Sequence, residues 1–137
     1  MHKVLGRYSE YFYAILRIVV GLLFMLHATQ KFFAYPPLPN GMSMGGQLPP
    51  MMIAAATIEL VCGLLVLVGL FASVAAFIAS GEMAVAYFLG HFPNGFWPHT
   101  NMGEPAVLFC FVFLYIAAKG SGLWSVDSLR GAPAAKV

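Results

Sequence analysis

Four long apolar runs fill most of the chain, and each contains or opens with one ionisable residue: Arg17, Glu59, Glu82 and, at the head of the last, Glu104. The first run predicts a helix over about 11–33, closed by Tyr35-Pro36-Pro37 because proline excludes helical conformation from the residue before it. A Pro-, Gly- and Met-rich loop follows at 36–50. The second helix is expected over about 51–70 and the third over 72–90, separated only by a tight turn at Leu70–Ser73, so these two run antiparallel. A second loop, 91–103, carries Phe92, Phe96 and Trp97, which suit the aromatic belt at a membrane surface. The fourth helix is expected over about 105–118, with Pro105 in its first turn and Trp124 beyond its end.

Runs of this length and composition belong in a bilayer. Hydrophobic residues make up 61% of the 137-residue chain and charged residues 9%, against about 25% charged in soluble proteins. The expected fold is an all-α membrane protein: a compact four-transmembrane-helix bundle, one domain over residues 1–130 with a short flexible tail at 131–137. Lys3 and Arg7 precede the first span, and Lys119, Arg130 and Lys136 follow the fourth, whereas the opposite loops have only Lys31. The positive-inside rule then places both termini in the cytoplasm. Lys3 and Arg7 before an apolar stretch also look like a signal peptide, but Arg17 interrupts the run and no small-residue cleavage site follows, so the segment reads as a retained helix. A net charge of +2 without a basic run gives no support to nucleic-acid binding.

Charges inside lipid are costly, roughly 2.5–3.5 kcal/mol each at the helix centre even on mild scales, and so face one another or a wet cavity. Arg17, Gly21, Phe24, Ala28 and Lys31 share one helical stripe with His27 at its edge; Glu59 shares a stripe with Ala55, Cys62 and Gly63, and Glu82 with Ala79 and Ala86. Small residues beside the charges are what a tightly packed interior requires. At 1.5 Å per residue, Glu59 and Glu82 lie level with each other, about 15–17 Å deep, with Arg17 about 8–9 Å in from the cytoplasmic side. The expectation is a polar pocket of Arg17, Glu59, Glu82, His27 and Lys31, open outward, with an outer rim of His91, His99 and Glu104. Two close carboxylates in a low dielectric do not both ionise comfortably, which suits proton uptake; a network that only fixes helix register fits equally.

Metal chemistry has weaker support. His27, His91, His99 and Glu104 are suitable donors, but their spacing is no ligand motif, and an interfacial polar rim accounts for them as well. Met42, Met44, Met51 and Met52 offer soft thioethers for Cu(I), or simply loop and helix-start packing. The two cysteines, Cys62 and Cys110, form no CxxC and read as buried thiols, with a redox pair as the alternative.

The motifs Arg17-Ile-Val-Val-Gly21 with Phe24, His27 and Lys31-Phe32, Ile58-Glu59-Leu60-Val61-Cys62-Gly63, and Gly81-Glu82-Met83-Ala84-Val85-Ala86-Tyr87-Phe88 resemble, in order and spacing, those of the DoxX family. Phe96-Trp97-Pro98, Asn101, Gly103-Glu104 and Gly120-Ser121-Gly122-Leu123-Trp124-Ser125-Val126-Asp127 extend the resemblance over about residues 14–130. Ala28 after His27, Pro105 after Glu104 and Ser121 depart from the family pattern. The resemblance implies a four-helix protein of the bacterial inner membrane: a small subunit of, or accessory to, a quinone-linked or thiol-related redox complex, with quinone as the implied small molecule and redox subunits as partners. A non-catalytic assembly or scaffold protein and a small proton-coupled transporter are the competing classes. A homo-oligomer is compatible with each.

Overall fold

The computed structural model describes residues 1–37 and 48–131; the Met42–Met44 stretch and nearly all of the expected tail lie outside them. Every regular element among the described residues is helical. They are α1 (His2–Leu5), α2 (Ser9–Phe33), α3 (Pro50–Val68), α4 (Ala72–Ala86), α5 (Glu104–Lys119) and α6 (Val126–Leu129). Three helical stretches are long and apolar enough to cross a membrane: Gly6–Phe33, Pro50–Val68 and Ala72–Asn94. With 16 residues, α5 spans about 24 Å, less than a hydrocarbon core of about 30 Å.

Local chemistry sets the helix ends. Pro50 occupies the first turn of α3 and Pro105 that of α5, where no N–H partner is lost. Gly69, at φ 70°, closes α3: its N–H reaches Val66 O and that of Leu70 reaches Leu65 O, satisfying two end carbonyls. Only Leu70 and Phe71 separate Gly69 from the start of α4, which makes α3 and α4 an antiparallel hairpin. The third helix differs from the expected 72–90. It is α-helical to Ala86, widens into a π turn over Tyr87–His91 and tightens into a 3-10 turn at Phe92–Asn94. Pro93 explains the change, since its ring crowds the carbonyl four residues back and forces the ladder open.

The four long helices pack in a ring of antiparallel neighbours. A Cβ on Gly21 of α2 would stand 2.7 Å from Leu67 N and 2.8 Å from Gly63 O, so the α2 and α3 backbones touch through glycine. On α4, Ala72, Ala75, Ala76 and Ala79 are buried and admit α3 on one side and α5 on the other. Phe24 meets Phe113 edge-on, with ring centroids 4.6 Å apart, and also contacts Phe109, which closes α5 onto α2. Outward faces are apolar: Phe77 is 67% and Phe111 65% exposed. That surface suits lipid, and because lipid is as apolar as the core, close packing and polar contacts hold the helices together rather than the hydrophobic effect.

Candidate functional site

The buried charges divide into two groups at opposite ends of the bundle. At the Val68 end of α3, Arg17 is fully buried and meets neither carboxylate. Its Nη1 donates to Val66 O at 2.6 Å and Leu67 O at 2.8 Å, and its Nη2 to Leu123 O at 3.2 Å and Trp124 O at 2.8 Å. The first pair are last-turn carbonyls of α3, where the negative end of the helix dipole favours a cation. The second pair belong to the segment that follows α5. That segment is pinned further: Tyr13 Oη donates to Gly120 O, Asp127 N–H to Gly69 O at 3.1 Å, and Ser121 Oγ to Asp127 Oδ2 at 2.6 Å. Gly69 must be glycine twice over, for its positive φ and because a Cβ there would lie 2.3 Å from that of Ser125. Arg17 therefore ties three parts of the chain together. At the same end Lys119 bonds Glu10 at 2.7 Å, and that bond raises the pKa of the ammonium.

The other group lies toward the Phe33 end. Lys31 Nζ stands 2.6 Å from Glu59 Oε1, with the two side chains 17% and 3% exposed. A lysine near a helix end ordinarily carries its ammonium out to water, but this one turns inward to a buried acid. Glu82 is on α4, which packs against α3, and His27 stands one helical turn before Lys31 on α2, at an exposed position. Two oxygens in this cluster, Glu59 Oε2 and Glu82 Oε2, are buried with no hydrogen-bond partner among the described residues. A carboxylate oxygen left so is normally paired or protonated. The contact made is thus Lys31 with Glu59, with the orphaned Glu82 oxygen on the neighbouring helix; Arg17 belongs elsewhere.

The outer rim is dispersed. His99 Nδ1 is 3.7 Å from Glu104 Oε2 on an exposed surface, while His91 Nδ1 contacts Asn101 O at 3.1 Å and His27 sits edge-on to Phe109. Among the described residues no three His, Cys, Asp or Glu side chains gather closely enough to hold a metal. Cys62 and Cys110 are free thiols. Two clefts, of about 570 and 480 Å³, lie away from the acids. The larger is lined by Leu5, Phe12, Tyr13 and Tyr115 among others, the smaller by Val74, Phe77 and Leu114, and both are apolar.

Several buried polar residues do structural work that the apolar pattern does not single out. Asn101, 5% exposed, accepts from Gly103 N–H at 2.8 Å and donates to Gly95 O at 2.7 Å, which folds the 95–103 loop over the head of α5. An Asn two residues before a Gly is the available signal for such a turn. Ser80 Oγ donates to Cys110 O at 2.8 Å and joins α4 to α5. Ser125 caps α6 by accepting from Ser128 N–H at 3.2 Å; Ser before a short apolar-acidic run is a helix-start signal.

Known proteins share this chain's sequence over most of its length. An uncharacterized protein of Haemophilus influenzae is 43% identical over 127 residues, covering 90% of this chain and 94% of its own. An uncharacterized membrane protein of Mycobacterium tuberculosis is 31% identical over 133 residues, covering 82% of this chain and 77% of its own. No solved structure matches. The DoxX family profile matches residues 12–92, the stretch that holds Arg17, His27, Lys31, Glu59 and Glu82. The chain belongs to the DoxX family of membrane proteins.

Proposed function

We propose that this protein is a small multi-pass subunit of, or accessory to, a quinone-linked redox complex in a bacterial inner membrane, and that the Lys31–Glu59–Glu82 cluster with His27 receives the headgroup. The observation that carries this reading is the pair of buried carboxylate oxygens without a donor, beside a buried ammonium. Quinone carbonyls need donors, which Lys31 and His27 offer; a quinol's hydroxyl needs an acceptor, which the acid pair offers once it has given up a proton. Phe24 and Phe109 would supply apolar walls. In this reading the partner subunit exchanges the electrons, and this chain positions the headgroup and moves its protons.

The same reading has four crossings, with α5 as a short fourth span. The end of the bundle bearing Arg7, Lys119 and Arg130 faces the cytoplasm, as the positive-inside rule directs, and one bundle domain extends over residues 1–130. The bacterial relatives support a bacterial inner membrane.

The test is titration of the full chain in nanodiscs with a short-chain quinone, followed by turnover of the co-purifying complex. Saturable binding that is lost in Glu82→Gln, together with reduced turnover, supports the proposal. Absence of binding with unchanged turnover overturns it. A second reading, a non-catalytic assembly or scaffold protein, is favoured by Arg17, whose four hydrogen bonds all go to backbone carbonyls. It predicts that Glu59→Gln and Glu82→Gln alter partner abundance alone. Proton flux in liposomes that depends on both acids would instead favour a small proton-coupled transporter.

A further inference from the structure

We propose that Glu82 and Glu59 form a proton-holding site, in which Glu82 carries one proton and donates its O–H to Glu59 Oε2. The inference rests on the cluster described above and deepens the proposed role by naming what the acids exchange. Glu59 is 2% exposed and spends only Oε1 on Lys31. Its Oε2 is an acceptor without a donor, and Glu82 Oε2 is another. With α3 and α4 packed as neighbours, one proton shared between the two acids would satisfy both oxygens. It also balances charge: Lys31 at +1, Glu59 at −1 and a neutral Glu82 sum to zero, where two ionised acids would leave an uncompensated negative charge in a low dielectric.

The surrounding groups fit this assignment. From α2 come Lys31, already bonded to Glu59, and His27, one helical turn before it and edge-on to Phe109. From α3 comes Cys62. Between its ends α5 carries only Cys110 and Tyr115 as titratable groups, and Ser80 Oγ sits on the Cys110 carbonyl. His91, from the π turn, is engaged with Asn101 O. Among the described residues, no lysine or arginine other than Lys31 pairs with either acid.

An apolar carbodiimide added to the full chain in nanodiscs reacts with protonated carboxyl groups in apolar surroundings, and peptide mass mapping locates the adduct. The expected result is labelling of Glu82 at mildly acidic pH, falling about tenfold per pH unit on the alkaline side, with exposed Glu10 and Glu104 unlabelled. Glu59→Gln should reduce Glu82 labelling, because Lys31 is then free to pair with Glu82 and hold it ionised. Infrared spectra of the unmutated protein supply a measurement independent of any variant: a carboxylic-acid carbonyl band should disappear on alkalinisation. Labelling of neither acid, or labelling and a band that ignore pH, overturns the proposal. The assay uses neither quinone nor partner. Labelling without quinone binding would therefore sink the redox reading alone, and quinone binding without labelling would sink this inference alone.

Discussion

Replacing Arg17 with leucine keeps an apolar body of similar reach and removes every donor that the guanidinium offers. The four carbonyls it serves do not suffer equally. Val66 O keeps its bond from Gly69 N–H at 3.2 Å, whereas Leu67 O, Leu123 O and Trp124 O lose the donor they now have. Stranding a fully buried acceptor costs about 1–3 kcal/mol; these three are only part-buried, so together they give roughly 2–5 kcal/mol. The relief of no longer burying a charge offsets part of this, reduced by the favourable end of the α3 dipole that the cation now meets. The net expectation is a loss of about 1–2 kcal/mol. Arg17→Lys keeps the charge but lacks the planar fork that reaches α3 and the 120–127 segment together, and should lose about half as much. Reversible unfolding in mixed detergent micelles measures the difference. Emission from Trp124, in a Trp97→Phe background, should shift toward that of a wetter indole as the segment detaches. Stability of Arg17→Leu within about 0.5 kcal/mol of the parent, the range of an ordinary surface change, would refute the assignment of Arg17 as the tie between the three segments.

Three further outcomes are expected. Gly21→Ala should cost about 1–3 kcal/mol by pushing α2 off α3, whereas Gly81→Ala, whose Cβ meets nothing within 4 Å, should be neutral or stabilising by up to about 1 kcal/mol; thermal unfolding in detergent checks both. Lys31→Met should destabilise by roughly 3–5 kcal/mol because it strands a buried acid, and the Lys31→Met/Glu59→Gln double variant should lose much less than the sum of the singles. A double-mutant cycle that sums additively would remove the pair from the account. Asn101→Ala should leave Gly103 N–H without its acceptor and cost about 1–3 kcal/mol, read as faster proteolysis within the 95–103 loop.

The polar residues differ in how far the chain itself reveals their roles. Helical character follows from the apolar runs, because a segment facing lipid on one side and packed on the other must be apolar nearly all round. Glycine at 21 and 63 and alanine at 75, 76 and 79 mark faces where backbones approach. Partner choice is another matter. Arg17 finds carbonyls, and every residue has one, so its partners leave no trace in residue type. Lys31 lies within reach of both water and Glu59, and only the crossing of α2 over α3 decides that it turns inward. Asn101, Ser80 and Ser125 act through single short bonds with no period for a pattern to reveal. The π turn depends on Pro93 acting backwards on the preceding turn, which hydropathy does not register.

The central claim is that Glu82 serves chemistry rather than packing. Glu82→Gln, nearly the same in shape, separates the two when the complex's turnover and abundance are measured in the same membranes. Turnover should fall at least about tenfold, equivalent to about 1.4 kcal/mol in the barrier, with protein level and unfolding midpoint retained. Turnover that follows abundance, or is unchanged at normal abundance, would contradict it.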